Sequence, residues 1–305
     1  MAKLTDEQFS AYLAGAKEKL SAELPIAAEK KINYGYQYSV KLAEAKLTLN
    51  IYNGKKGLNI VYSGDSALAE RAAALLEGRR AQAAAPATFV TDGLWAGSDE
   101  SGKGDFFGSL VVAAVVVDNS TAEKLRAAGV KDCKLLTDKK ILELEDIIKA
   151  SVVDYSVLEL KPRVYNLRYE QVAAQGGKLN QLLGYGHVAA LSKVLEKHED
   201  CHSALIDQFT TSMVNIRALK QRFPQCDVRQ QPKAESNLAV AAASVLARAQ
   251  FLHTMAALAA EAGVQELPKG GGAQATACAR ELAAKYGKEA LRNYVKLHFA
   301  NYQRV

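Results

Sequence analysis

The spacing of apolar residues predicts a small α+β module in the first 80 residues. Apolar residues at helical spacing follow a capping-box pair, Thr5 and Gln8, and indicate an N-terminal helix. Apolar and polar residues then alternate with the period of a strand in three stretches. These stretches lie near residues 34–42, 47–51 and 58–62. An Asn-Gly pair at 53–54 indicates a hairpin between the last two, and a second helix ends at Gly78.

The pattern changes after residues 81–91, a stretch of small residues without periodicity that is predicted to be a linker. From residue 92 to residue 305, strands and helices alternate as in an α/β domain. The predicted strands are 94–99, 110–117, 152–160, 203–207 and a segment near 226–232. The predicted helices are 121–128, 138–149, 179–198, 211–221, 236–261, 273–286 and 288–297. Residues 110–117 are apolar at every position, which indicates a central strand covered on both faces.

Composition narrows the class of protein. The net charge of +6 and the pI of about 8.9 favour a polyanionic partner without identifying one. Four scattered cysteines without a CxxC pair are typical of free thiols in a reducing compartment. We find neither the apolar core of a signal peptide nor a run of about 18 apolar residues. We therefore expect a cytoplasmic protein, and nothing in the sequence requires more than a monomer.

Four acidic residues stand where a metal site would need them. Asp99 and Glu100 end a short apolar strand and precede a Gly-Lys-Gly turn at 102–104. Asp207 ends the strand at 203–207, and Glu235 begins an alanine-rich helix. Sites in α/β proteins gather at strand ends, so these carboxylates are predicted to converge. Four clustered carboxylates repel one another unless cations neutralise them, and Mg²⁺ or Mn²⁺ suits such oxygen ligands. Two such ions together can catalyse the hydrolysis of a phosphodiester.

At these residues the chain resembles bacterial ribonuclease HIII, a type 2 ribonuclease H, over nearly all of residues 92–305. The matching segments are 97–108, 129–134, 136–140, 206–209, 242–248, 267–270 and 296–301. Gly-Lys-Gly and Glu235 separate it from ribonuclease HII, which usually has Gly-Arg-Gly and aspartate there. Cys133 replaces a common serine and Ser109 a common proline. The resemblance implies an RNase H-like mixed sheet flanked by helices, preceded by a TBP-like substrate-binding domain at 1–80.

The resemblance also implies an activity, the endonucleolytic cleavage of RNA in RNA/DNA hybrids, which leaves 3′-hydroxyl and 5′-phosphate ends. It makes Asp99, Glu100, Asp207 and Glu235 the catalytic residues and the ligands of Mg²⁺ or Mn²⁺. It also places Gly102, Lys103, Gly104 and Lys134 at the substrate. In the N-terminal module, the polar face of the second predicted strand is the candidate for gripping a duplex backbone. Its candidate residues are Lys46, Asn50, Tyr52 and Lys55.

Other residues carry weaker expectations. A stripe of tyrosines at 34, 36 and 38 is typical of a core face. His298 could move protons or simply pack, and His187 is expected to be structural or paired. Ser244 is expected to pack or to support the carboxylates, and Arg248 to meet a phosphate or an acid.

Three alternative functions stay open. A ribonuclease HII-like enzyme would cut at single ribonucleotides in DNA. A sugar kinase or ATPase of related fold would need a second phosphate loop, for which Gly270–Gly272 is the only candidate. A catalytically silent hybrid-binding protein would lack one of the four acids, and all four are present.

Overall fold

The computed structural model describes residues 3–43, 45–54, 57–77, 89, 91–210 and 212–305. The chain divides into two units, Met1–Thr88 and Phe89–Val305. Most of the predicted linker at 81–91 lies outside the described residues, as do Gly78 and the candidate Lys55.

The N-terminal unit is a four-stranded antiparallel sheet with two helices. Its elements are α1 (Asp6–Glu23), β1 (Ile26–Ile32), β2 (Gly35–Leu42), β3 (Ala45–Gly54), β4 (Gly57–Gly64) and α2 (Ser66–Glu77), with the strands in the order β1-β2-β3-β4. The predicted capping box is present, since Gln8 N donates to Thr5 Oγ1 and Thr5 N donates to Gln8 Oε1. One face of the sheet carries the core residues, which pack with apolar residues of both helices.

Two expectations for this unit are wrong. The strand β1 was not predicted, because its sequence is apolar only near its ends and its central residues are exposed, so no alternation marks it. Tyr34 does not join Tyr36 and Tyr38 on one face. It lies in the turn before β2 with φ 59° and is 82% exposed, whereas Tyr38 is buried.

The C-terminal unit is a five-stranded mixed sheet flanked by helices. Its strands are β5 (Leu94–Ser101), β6 (Leu110–Val117), β7 (Asp154–Leu160), β8 (Cys201–Asp207) and β9 (Asp227–Gln231). Its helices are α3 (Asn119–Ala127), α4 (Asp138–Ser151), α5 (Pro162–Ala174), α6 (Leu179–Leu195), α7 (Val214–Arg222), α8 (Leu238–Ala262), α9 (Ala273–Tyr286) and α10 (Ala300–Gln303). Short 3₁₀ turns cover Cys133–Leu135, Ala234–Ser236 and Lys288–Asn293.

The sheet order β7-β6-β5-β8-β9 brings distant segments together. The strands β5, β6 and β7 are antiparallel neighbours, whereas β5, β8 and β9 run parallel. Every residue of β6 is buried, which confirms the predicted strand covered on both faces. Alternate residues of β6 pack in two separate cores, one shared with α8 and the other with α6.

Some helices differ from the sequence-based expectation. The helix α5 was not predicted, and Pro162 occupies its first turn, where the missing N–H costs nothing. Residues 288–297 do not form the expected α-helix: Lys288–Asn293 form a short 3₁₀ helix, and residues 294–297 are neither helical nor part of a named strand. By length and composition α8 is long and apolar enough to cross a membrane, but most of it is buried inside this unit.

Candidate active site

Asp99 and Glu100 lie near the end of β5, as predicted, although the strand continues two residues beyond the predicted 94–99, to Ser101. They pair with Ala113 and Val112 of β6. Successive strand residues point to opposite faces, so Glu100 faces α6 and Asp99 faces the side of α8. Both nevertheless line one cavity near the end of the strand.

Asp207 reaches the same cavity from the neighbouring strand. It is the last residue of β8, whose parallel register with β5 pairs Ile206 with Ser98. Its Oδ1 accepts a hydrogen bond from the backbone N–H of Ala234 at 3.1 Å. That bond ties β8 to the 3₁₀ turn that carries Glu235.

The cavity has a volume of about 590 Å³ and collects most of the predicted site. Besides the three carboxylates of β5 and β8, it is lined by Gly102, Lys103, Gly104 and Lys134. Glu235 is not among the residues that line it, although its charge acts on Asp207. The structure therefore groups three of the four predicted acids and places the fourth beside them.

The carboxylates repel one another. Burial raises the pKa of Asp99 well above its ordinary value, and the charges of Glu100 and Asp207 raise it further. Burial also raises the pKa of Asp207, helped by Glu235 and Glu100. A cation in the cavity would relieve this repulsion and favour the ionised forms.

Glu100 behaves differently from its neighbours. Burial alone would raise the pKa of Glu100, but the hydrogen bond and charge of His187, together with Lys103, hold it below its ordinary value. Nε2 of His187 lies 3.2 Å from Glu100 Oε2, and Lys103 Nζ lies 3.6 Å from Glu100 Oε1. Glu100 is thus held from two sides.

The donor set fits a hard divalent ion by its chemistry, because it consists of carboxylate oxygens that repel one another. Within the part of the chain that the structure describes, no three His, Cys, Asp or Glu side chains form a complete metal site. Lysines stand beside the carboxylates instead. Lys103 contacts Glu100. Burial alone would lower the pKa of the Lys134 amine, but the charge of Asp132, followed by those of Asp99 and Asp207, raises it. Binding of a divalent ion would therefore require the lysine and carboxylate side chains of the cavity to rearrange.

The two glycines of the Gly-Lys-Gly turn are not equivalent. Gly102 has φ +85°, and a Cβ there would lie 2.1 Å from the carbonyl oxygen of Ser109. Only glycine fits this position. Around Gly104 a Cβ would meet nothing within 4 Å. The lysine between them lies 5.9 Å from the ring centroid of Phe209.

Three further residues lie at the site, of which only Cys133 had no predicted role there. Cys133 lines the cavity, and burial together with the charge of Asp99 raises the pKa of its thiol to about 11. Arg248 meets an acid, as one reading expected: it forms an ion pair with Asp138 at 3.1 Å. Ser244 supports the loop, because its Oγ accepts a hydrogen bond from Cys133 N. The sequence does not mark the contacts of Arg248 and Ser244, since their partners are 110 and 111 positions away.

Two more residues were singled out in the sequence: Ser109, which replaces a common proline, and His298, whose role stayed open. The Ser109 hydroxyl is buried and has no hydrogen-bond partner among the described residues. His298 stacks on Tyr169 with ring centroids 4.3 Å apart while part of its surface stays exposed, and partial desolvation together with the charge of Lys296 lowers its pKa. This stacking agrees with a packing role for His298.

The three described candidates of the N-terminal unit, Lys46, Asn50 and Tyr52, lie on the face of its sheet opposite the core. Lys46 is exposed, and Asn50 and Tyr52 are half-buried, alternating with the buried core residues of β3. Gln37 on β2 donates a hydrogen bond to Asn50 Oδ1 at 2.7 Å. This polar row is continuous across two strands.

Comparison with known proteins decides the family. A family model described as Ribonuclease HII matches residues 96–302. The chain is 38% identical to ribonuclease HIII of Protochlamydia amoebophila over 203 residues, which cover 67% of this chain and 65% of that protein. It is 40% identical to ribonuclease HIII of Bacillus subtilis over 218 residues, covering 68% and 66%. The chain belongs to the ribonuclease HIII family.

Solved structures of ribonuclease HIII extend the likeness to both units. The Mn²⁺ complex of Bst-RNase HIII matches with a TM-score of 0.64 and 28% identity, covering 98% of this chain and 96% of that one. The predicted family, fold class and enzyme class are thus confirmed. The curated relatives match over about two thirds of their length, 65% and 66%. The individual roles of the site residues stay predictions.

Proposed function

We propose that this ribonuclease HIII hydrolyses the RNA strand of RNA/DNA hybrids endonucleolytically, leaving 3′-hydroxyl and 5′-phosphate ends. The observation that carries the proposal is the meeting of Asp99, Glu100 and Asp207 in one cavity beside the Gly-Lys-Gly turn. Their shared repulsion suits a site that is completed by divalent cations.

In this proposal Asp99, Glu100, Asp207 and Glu235 hold Mg²⁺ or Mn²⁺, with two ions in the working enzyme. When bound, such ions supply an activated water and stabilise the charge that develops on the scissile phosphate. The Mn²⁺ complex of Bst-RNase HIII supports a divalent ion here. The link from Asp207 through Ala234 supports the inclusion of Glu235.

The remaining residues of the cavity bind the hybrid. The turn at Gly102–Gly104 lets backbone N–H groups approach a phosphate, and Lys103 adds a positive charge. Lys134 lines the same cavity and provides a second cation. In binding substrate, both lysines exchange the carboxylates for phosphate oxygens and leave the acids free for metal.

The N-terminal unit increases affinity for the hybrid. The polar row of β3 contacts the sugar–phosphate backbone without reading bases, with Lys46, Asn50 and Tyr52 as its contacts and Lys55 as a further candidate. The polar residues that alternate with the core residues along β3 support this role.

The protein acts as a monomer in the cytoplasm in this proposal. Support comes from a catalytic cavity lined entirely by one unit of one chain. Cys133, Cys201, Cys226 and Cys278 are free thiols, as expected in a reducing compartment.

The test is cleavage of an end-labelled RNA/DNA hybrid with EDTA, Mg²⁺ or Mn²⁺. Single-stranded RNA, double-stranded RNA and a duplex with one ribonucleotide serve as comparison substrates. Metal-dependent cutting confined to the longer hybrid is the expected result. Efficient cutting at the lone ribonucleotide would favour the ribonuclease HII-like alternative. Tight hybrid binding without cutting under either metal would favour a catalytically silent protein.

A further inference from the structure

His187 occupies a position that packing alone does not explain. It lies on α6, is fully buried, and uses both ring nitrogens. Nδ1 lies 2.7 Å from the hydroxyl of Ser98, which itself donates to the carbonyl of Ala113 at 2.8 Å. Nε2 lies 3.2 Å from Glu100 Oε2. The ring therefore bridges the backbone of the sheet to one oxygen of a predicted catalytic carboxylate.

The ring is fixed in this orientation by its surroundings. Phe209 stacks on it with centroids 4.8 Å apart and planes 7° from parallel. The preceding residue, Gly186, lets α6 approach the sheet closely, because a Cβ there would lie 2.8 Å from the Val112 side chain. Helix position, stacking and the Ser98 contact together leave Nε2 aimed at Glu100.

Glu100 differs from the other acids in the cavity in how it is held. Asp99 and Asp207 accept hydrogen bonds from backbone N–H groups, at 2.7 Å from Glu100 N and 3.1 Å from Ala234 N. Glu100 is oriented by a buried side chain instead, with Oε2 on His187 and Oε1 toward Lys103 in the cavity. A flexible glutamate has more rotamers to lose than an aspartate, so it gains most from such a partner.

We propose that His187 is a positioning residue that fixes the Glu100 carboxylate so that its Oε1 faces the cavity. The inference rests on the proposed function, in which Glu100 holds a divalent ion. Hydrogen-bond partners of metal-binding carboxylates typically contribute about 10- to 100-fold to metal affinity or activity. His187 would act through Glu100 and would not itself touch the substrate.

The experiment compares His187→Phe with His187→Gln in the full-length chain. Phenylalanine keeps the stacking on Phe209 and removes both ring nitrogens, whereas the glutamine amide can still donate to Glu100. We expect the Phe variant to lower kcat about 10- to 100-fold, with the KM for hybrid within about twofold. Calorimetric titration with Mn²⁺, without hybrid, should show about tenfold weaker binding. The Gln variant should recover both quantities to within a few-fold.

Two further variants separate positioning from folding. Ser98→Ala keeps the ring and removes its anchor, so a smaller loss of kcat in the same direction is expected even where the Phe variant folds poorly. Ser192→Ala on the same helix removes a buried hydroxyl that has no hydrogen-bond partner among the described residues, and it should leave kcat and Mn²⁺ affinity unchanged. Melting temperatures of all variants report any general loss of stability.

The outcomes are distinguishable from failure of the proposed function. If Glu100→Gln keeps full activity and Mn²⁺ affinity, Glu100 is not a metal ligand and the proposed function fails there. If Glu100→Gln is inactive while His187→Phe keeps kcat and Mn²⁺ affinity, the positioning role alone is overturned. Equal losses in the Phe and Gln variants would also overturn it, because the amide should replace the ring. Adding His187→Phe to Glu100→Gln should cause no further loss.

Discussion

The two sheets of this protein differ in what they expose: the N-terminal sheet exposes one face, and the C-terminal sheet exposes the ends of its strands. The N-terminal sheet has one face covered by helices and the other open, so its exposed polar row runs along the strands. The C-terminal sheet is covered on both faces, and its central strand β6 is buried throughout. Functional side chains of that unit therefore gather where strands end. An open face suits broad contact with a duplex, whereas a strand end can concentrate charge.

Burial follows the same division. Asp99 is only 5% exposed, and burial together with its acidic neighbours raises the pKa of its carboxyl group. Lys46 on β3 is exposed to solvent, where a single charge contributes little. We therefore expect large, all-or-none effects from changes at the strand ends of the second unit and small, graded effects from changes on the open face of the first.

The largest expected effect comes from Asp207→Asn. The amide keeps the shape and can still accept the hydrogen bond from Ala234, but it removes a negative charge needed to hold a cation. Hybrid cleavage should fall by about three orders of magnitude or more, while hybrid affinity in EDTA stays within about twofold. Gel cleavage and fluorescence anisotropy measure the two quantities. Asp200→Asn, an exposed acid just before the same strand, is the matched control, and normal cleavage by Asp207→Asn would remove this residue from the site.

The two glycines of the Gly-Lys-Gly turn are expected to differ strongly in their tolerance of alanine. Gly102→Ala would force a Cβ to 2.1 Å from the Ser109 carbonyl at positive φ, whereas Gly104→Ala has open space. We expect the first change to lower the free energy of unfolding by about 2 kcal/mol or more. Because it also distorts the turn beside the carboxylates, kcat should fall by about tenfold or more, which corresponds to about 1.4 kcal/mol in activation free energy. The second change should alter neither quantity by more than about twofold. Urea unfolding and hybrid cleavage check both, and equal behaviour of the two variants would contradict the geometry.

A pH-dependent effect on stability is expected from Lys296. Its amine is fully buried and donates to the carbonyls of Asp105 and Gly108 at 2.8 Å. Burial lowers the pKa of Lys296 to about 7. Between about pH 7 and pH 10 the unfolded chain therefore binds more protons than the native one, and stability should rise with pH, by at most about 1.4 kcal/mol per pH unit from this group.

Urea unfolding at pH 6.5 and pH 9 tests this slope. Lys296→Met leaves the loop carbonyls without their donor, so it should be less stable than the parent at both pH values. Its stability should also lack the part of the pH slope that Lys296 supplies. An unchanged slope in Lys296→Met would show that the amine does not titrate in this range.

The smallest effect is expected on the open face. Lys46→Ala should raise the KM for hybrid about two- to fivefold without changing kcat, and it should reduce the salt dependence of binding by about one counterion. Lys19→Ala, an exposed lysine on α1, is the charge-matched control and should leave KM unchanged. A loss of kcat in Lys46→Ala, or equal effects of both lysines, would break the distinction between the two sheets.

The sequence was sufficient where a residue's role depends on local pattern. The fully apolar stretch of β6 indicated a doubly covered strand, and the ordered acids indicated the strand ends of the site. It failed where the pattern is weak. The strand β1 carries polar residues on both faces because it is exposed, and α5 follows β7 after a single residue, Lys161.

Other features depend on contacts that no local pattern contains. Gly102 and Gly104 are equivalent in sequence, but only one faces a backbone carbonyl. His187 could be expected to have a partner, yet Glu100 lies 87 positions away in the chain. Such contacts are set by how helices pack on the sheet, and packing is a tertiary property.

The carboxylates at the strand ends of the second unit are proposed to form a divalent-cation site. Calorimetric titration of the metal-free protein with Mn²⁺, for the parent chain and for Asp99→Asn, tests it most directly. The parent should bind Mn²⁺, and the variant should bind at least about tenfold more weakly, since one ligand charge is lost. Equal affinity in both proteins, or no binding by the parent, would contradict the account.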